Sequence, residues 1–181
     1  MDRGISEVVL SANDIASRLD SLAAEIDRDL AGAPVRLVGV LKGSVFFLCD
    51  LARRLRSPVS IDFVQASSYG SGTRSSGEVR ILRDASPDVA GRNVLLVEDI
   101  VDTGQTLARI LADLNTFEPA SLKVCALLRK RIPDQPPVPV DYLGIEIENR
   151  FVVGYGLDIA EAYRNLPYVA AMEDGGQGEE E

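Results

Sequence analysis

The sequence predicts a single α/β domain built on a mostly parallel, twisted sheet flanked by helices. Three observations predict it. VRLVGVL (Val35–Leu41) and VLLV (residues 94–97) are short, nearly continuous apolar runs, the composition of strands buried on both faces. Stretches with apolar residues three and four apart alternate with those runs along the chain. The length, 181 residues with 46% hydrophobic content, suffices for one sizeable core and no more than one domain is expected.

The elements follow in order. Residues 11–31 carry Ile15, Leu19, Leu22, Ile26 and Leu30 at helical spacing, with Ser11 placed to cap the start and Gly32 just past the end, which predicts a surface helix. Val35–Leu41 is then a strand, and SVFFLCDLARRL (residues 44–55) a helix through Phe47, Leu48, Leu51 and Leu55. VSIDFVQA after Pro58 and EVRILRD are strands, separated by SSYGSGTRSSG, whose glycines and serines predict a loop; the two strands can pair as an antiparallel hairpin that carries residues 67–77 as a flexible lid. Residues 94–97 form a strand, residues 106–117 a helix with Leu107, Ile110, Leu111 and Leu114 on one face, and residues 122–128 a further strand. The proline-rich IPDQPPVPVDYLGIEI leads into a last strand, the chain termini build a small hood, and the domain is expected to span residues 1–170, with 171–181 an acidic disordered tail.

Composition excludes several classes of function. Five of the nine net negative charges come from Glu173, Asp174, Glu179, Glu180 and Glu181, so the remainder is only mildly acidic and offers no basic face for nucleic acid or an anionic membrane. Histidine is absent, which removes histidine triads and histidine-ligated metals and leaves carboxylates, Lys, Tyr or a bound cation for acid–base work. Cys49 and Cys125, the only cysteines, lie in apolar runs without disulfide or metal spacing, and no signal peptide or long apolar span is read, so a cytoplasmic location is expected.

Chemistry concentrates where strands end, the ligand side of an open α/β sheet. In VLLVEDIVDTGQTL (residues 94–107) a strand gives way to a helix through three carboxylates and a Thr-Gly turn. The turn lacks the Gly-Lys-Ser/Thr of a nucleoside-triphosphate loop, and GSGTRSSG lacks the register of a dinucleotide fingerprint. What remains is a nest of backbone N–H groups from Asp102 onward, the hydroxyls of Thr103 and Thr106 and a helix N-terminus, sized for one phosphate monoester. Glu98 and Asp99 would repel that phosphate if they faced it, so they are expected to face a neighbouring sugar diol. A plain capped helix start explains each residue singly, but not two adjacent acids at a strand tip.

VLLVEDIVDTGQTL resembles the signature of type I phosphoribosyltransferases, which bind 5-phosphoribosyl-1-pyrophosphate (PRPP). Among these the chain is most similar to the hypoxanthine-guanine phosphoribosyltransferases, because LVGVLKGSVFFLCDLARRL, SSYGSGTRSSGEV, LLRKRIP and FVVGYGLDIAEAYRNLPYV also resemble that family in the same order, over roughly residues 5 to 170. The resemblance implies the type I phosphoribosyltransferase fold, and a site residue by residue. Asp102, Thr103, Gly104, Gln105 and Thr106 hold the 5′-phosphate, and Glu98 with Asp99 holds the ribose hydroxyls. Asp102 is the general base at purine N7. Leu41, Lys42 and Gly43 form the pyrophosphate loop, where an unusual peptide precedes the Lys, and Arg164 together with the lid residues Ser68 and Tyr69 reaches the same group. Lys130 reads the 6-oxo group, Phe151 stacks on the purine, the backbone of Val152 reads its edge, and Asp158 closes the pocket while binding Mg2+, with Glu98 and Asp99 as the other metal carboxylates.

The implied reaction joins hypoxanthine or guanine to PRPP with release of pyrophosphate, with Mg2+ as cofactor, PRPP and 6-oxopurines as partners, and a homo-oligomer, dimer or tetramer, as the assembly. Gln105 stands where relatives are often basic, Ile159 where an aromatic is usual, and EIENR lacks a proline at Glu148; the last two border the purine pocket. Two rivals are an RNA-binding regulator on the same fold, which would need a basic face, and a transferase for xanthine or another base.

Overall fold

A computed structural model describes residues 4–68, 79–81, 88–132 and 138–173. Tyr69, most of the expected lid and the tail from residue 174 lie outside these. The order is β1 (Ile5–Leu10), α1 (Ala12–Leu30), β2 (Val35–Leu41), α2 (Val45–Ala52), β3 (Val59–Ser68), β4 (Val79–Ile81), β5 (Asn93–Val101), α3 (Gln105–Asn115), β6 (Ser121–Arg131), β7 (Tyr142–Glu148), β8 (Val152–Val153) and β9 (Val169–Met172).

The main sheet runs β4-β3-β2-β5-β6-β7, with β3, β2, β5, β6 and β7 parallel and β4 antiparallel on the edge. Its central strands are apolar on both faces because both are covered. Leu37, Leu95, Val97 and Leu127 pack with Ile15, Leu19, Leu22 and Ile26 of α1 and Phe47, Leu48 and Leu51 of α2. Val38, Val94, Leu96 and Val124, one step out of phase along the same strands, pack with Leu107, Ile110 and Leu114 of α3.

The expected hairpin is present where the chain is described, with Ala66, Ser67 and Ser68 opposite Ile81, Arg80 and Val79.

Helix α1 starts where the sequence places it. The Ser11 side chain accepts from the Asp14 N–H at 3.2 Å and Asp14 accepts in return from the Ser11 N–H at 3.1 Å, a reciprocal capping box. Ser11→Ala leaves one of those donors without its partner and is expected to cost about 1 kcal/mol of stability, measurable as a lower urea midpoint with an unchanged slope.

Three strands outside the main sheet were not read from the sequence. β1, β9 and β8 form a separate antiparallel sheet from the two ends of the chain, the hood, so β7 is not the last strand. β9 reaches Met172, two residues past the expected domain edge, and the Glu173 N–H donates to Gly4 O at 2.8 Å. Val152, Tyr155, Leu157, Val169 and Ala171 join the α1/α2 side of the core, which anchors the hood.

Candidate active site

The sheet, the hood and the loop after β2 meet at one residue, Gly43. A Cβ on Gly43 would lie 1.7 Å from Asp99 Oδ2, and one on Gly156, in the turn after β8, would lie 1.9 Å from Gly43 O. Only glycines let the three segments approach this closely. Beside them opens a cavity of about 370 Å3 lined by Leu41, Lys42, Gly43, Glu98, Asp99, Asp102, Thr106, Lys130, Phe151, Val152, Asp158 and Arg164, among others. Twelve of the residues singled out from the sequence thus share one crevice, although they come from four separate stretches of chain. Thr103, Gly104 and Gln105 continue from it into α3, and Ser68 closes β3.

The acids sit differently from the sequence expectation. Glu98 and Asp99 do not follow β5 but lie on it, because β5 keeps pairing with β6 as far as Val101 opposite Arg129. In the same way β6 extends past Leu128, held by β7 through Arg131 opposite Glu148, so Lys130 is a strand residue beyond the expected strand end. A strand fixes a side chain more tightly than a loop, since each residue is held by ladder bonds on both sides.

The Asp99 carboxyl packs against Gly43, with its Oδ1 accepting from the Ile100 N–H at 2.9 Å. Burial pushes the Asp99 carboxyl up to about 6, against the pull of the backbone N–H groups of Ile100 and of Asp99 itself and of the Arg164 charge. Burial, and then the neighbouring Asp99 charge, push Glu98 well above the usual carboxylate range, and its Oε2 is buried without a hydrogen-bond partner. Two acids this poorly solvated suit a ligand that brings hydroxyl donors or a cation.

The turn after β5 has the geometry of an anion site. Gly104, at φ 75°, is the left-handed residue from which α3 starts, and the helix begins without a side-chain cap. Its first intrahelical bond runs from the Ala108 N–H to Gly104 O at 2.9 Å, so the preceding N–H groups of the first turn have no intrahelical carbonyl to meet. They and the helix dipole favour an anion at this end.

Charged pairs complete the crevice. Lys130 Nζ donates to Asp102 Oδ2 at 2.9 Å, joining β6 to the lip of the α3 turn. Arg164 donates to Gly156 O at 2.6 Å and pairs with Asp158 Oδ1 at 2.8 Å, while Lys42 Nζ donates to Glu161 Oε2 at 3.0 Å. The Leu41–Lys42 peptide is cis. Phe151 is 52% exposed, a large aromatic at the cavity mouth, and Val152 is buried in β8 opposite Ala171. Arg164 lies in a turn.

Glu161 was not singled out from the sequence, where an acid in AEAYR looks like any exposed acid. Among the described residues no three His, Cys, Asp or Glu side chains gather into a metal cluster, so Glu98, Asp99 and Asp158 do not form a closed cage. The donors present are nonetheless hard oxygens, one of them orphaned, as a cation completed by substrate oxygens and water requires.

A parallel sheet under a hood, with an anion-type helix start beside two half-buried acids, defines an α/β protein with a polar ligand crevice at the strand tips. Comparison with known proteins gives the family. A phosphoribosyl transferase domain profile matches residues 7–160. The chain is 47% identical over 175 residues to the hypoxanthine-guanine phosphoribosyltransferase of Mycobacterium avium, covering 93% of this chain and 86% of the other. It is 43% identical over 169 residues to the hypoxanthine phosphoribosyltransferase of Haemophilus influenzae, covering 92% and 94%. The crystal structure of a hypoxanthine phosphoribosyltransferase from Staphylococcus aureus superposes with a TM-score of 0.86 at 41% identity, over 94% of this chain and 92% of that one. The chain belongs to the phosphoribosyltransferase family and is a transferase. Among the described residues no helix is long and apolar enough to cross a membrane.

Proposed function

We propose that this transferase joins hypoxanthine or guanine to PRPP in purine salvage, releasing pyrophosphate. The single observation that carries the base assignment is the 2.9 Å contact between Lys130 Nζ and Asp102 Oδ2. On a 6-oxopurine, O6 and N7 are neighbours on one edge. An ammonium beside a carboxylate matches that edge, the ammonium donating to O6 and the carboxylate accepting the N7 proton. A 6-amino base would turn a donor toward the ammonium instead. The exposed ring of Phe151 at the mouth of the same cavity offers a stacking surface for the base.

The chain's residues divide the work by chemistry. The turn at residues 102–106 holds the 5′-phosphate through backbone N–H groups, and Glu98 and Asp99 accept from the ribose hydroxyls. Leu41, Lys42, Gly43 and Arg164 take the pyrophosphate end, joined by Ser68 and Tyr69 of the lid segment. As the bond from purine N9 to the anomeric carbon forms and the bond from that carbon to the pyrophosphate oxygen breaks, the N7 proton passes to Asp102. Val152 offers its backbone to the edge of the purine. Mg2+, held by carboxylates drawn from Glu98, Asp99 and Asp158, would neutralise charge on the leaving pyrophosphate. Positioning and charge neutralisation supply most of the rate in such a dissociative substitution. The same reading makes the protein a cytoplasmic homo-oligomer that binds these small molecules and neither nucleic acid nor membrane.

Pyrophosphate release from PRPP and Mg2+, followed across hypoxanthine, guanine, xanthine and adenine, tests it. Turnover with hypoxanthine or guanine and none above background with adenine is expected. Turnover with adenine alone, or with no base, would reject the proposal.

A further inference from the structure

Two cations flank the pyrophosphate loop, and one acid already sits on both. Glu161 Oε2 accepts from Lys42 Nζ at 3.0 Å, while its other oxygen, Oε1, lies 3.5 Å from Arg164 Nη2. The carboxylate therefore spreads its two oxygens over two cations from distant parts of the chain, as two oxygens of a phosphate group would. Glu161 reaches them by an uncommon route. It follows Ala160 in a turn where both residues have positive φ, 49° and 65°, a region non-glycine side chains seldom adopt. The turn is held by the Glu161 N–H, which donates to Asp158 Oδ2 at 2.9 Å, and by a bridge between Ile159 and Ala162.

The contact contributes little to stability. The Lys42 and Glu161 side chains are 55% and 64% exposed, the regime in which ion pairs are weakest. Arg164 would not be released if Glu161 moved away, because it is also fixed by Gly156 O and Asp158. Lys42, by contrast, has no other ion-pair partner among the described residues.

Resting on the assignment of Lys42 and Arg164 to pyrophosphate made above, we propose that Glu161 is an internal competitor for that group. Its carboxylate holds the Lys42–Arg164 cation pair in the ligand-free enzyme and leaves when the pyrophosphate end of PRPP arrives. Glu161 thereby weakens binding of both PRPP and the product pyrophosphate, and it returns to the cations as pyrophosphate departs. A substrate that lacks the pyrophosphate does not meet this competition.

Calorimetric titration of the full chain with pyrophosphate in the presence of Mg2+, and with inosine monophosphate as the ligand that spares Lys42, tests the proposal. Glu161→Gln keeps size and shape but removes the charge. It is expected to tighten pyrophosphate binding about two- to fivefold, the range set by an exposed ion pair, and to leave the nucleotide unaffected. In Lys42→Ala the further change Glu161→Gln is expected to give much less of that gain. If Lys42→Ala weakens pyrophosphate binding but Glu161→Gln leaves it unchanged or weakens it too, the competitor role is overturned and the assignment of Lys42 stands. If Lys42→Ala binds pyrophosphate as tightly as the parent, the assignment of Lys42 falls, and the competitor role with it.

Discussion

Asp102→Asn is expected to slow the chemical step by about 10²- to 10⁴-fold, the usual cost of removing a general base, while PRPP binds almost as before. The geometry separates the two effects. On the proposed reading the phosphate is held by the left-handed Gly104 turn and the backbone N–H groups that follow it, none of which the substitution touches. Asn also keeps an oxygen that can accept from Lys130 Nζ, now 2.9 Å from Asp102 Oδ2, so the lysine has no reason to move. What Asn cannot do is take up the N7 proton. Single-turnover kinetics with saturating PRPP and hypoxanthine give the chemical step without interference from product release. An unchanged single-turnover rate would remove Asp102 from the mechanism, and a large loss of PRPP affinity would make it a binding residue instead.

Much of this site was legible because it depends on local patterns. An apolar strand, two acids and a Thr-Gly turn before an amphipathic stretch can be read in fourteen consecutive residues, and the structure builds β5, Gly104 and α3 from them. The parallel sheet was legible for the same reason, since strands covered on both faces must be apolar throughout.

The hood strands were harder to place. β1 shows the burial of a solvent-facing edge over most of its length and β8 is two residues long, so neither carries a period that a sequence can display. Their positions are set by pairing with β9, more than 150 residues from β1. The ion pairs were not legible at all. Lys42 and Glu161 are 119 residues apart and Lys130 and Asp102 are 28 apart, and only the folded sheet decides which acid meets which base. Phe151 is a related case: beside two valines an aromatic suits a core as well as a stacking surface, and the fold leaves its ring 52% exposed just before β8.

The Lys130–Asp102 pair also sets what removing the lysine should do. Lys130 is the more enclosed partner, its side chain 13% exposed against 52% for Asp102, so a purine that takes over its hydrogen bond does so in a poorly hydrated place. Lys130→Ala leaves the 6-oxo group without a charged donor there. A hydrogen bond to a charged group contributes about 1.5 to 3 kcal/mol, so kcat/KM for hypoxanthine should fall about 10- to 150-fold. PRPP affinity should change little, because the proposed role of the lysine is toward the base and that of the phosphate turn rests on backbone N–H groups. The substitution should also narrow the gap between hypoxanthine and adenine, since the ammonium that opposes a 6-amino group is gone. It leaves Asp102 without its counter-ion but still exposed to water, so the carboxylate remains available as a base. Steady-state kinetics with both purines, alongside direct PRPP titration, distinguish the possibilities. Equal losses for PRPP and hypoxanthine would mean that Lys130 supports the crevice as a whole. A loss confined to hypoxanthine, with adenine unchanged or improved, would identify it as the group that reads the 6-position.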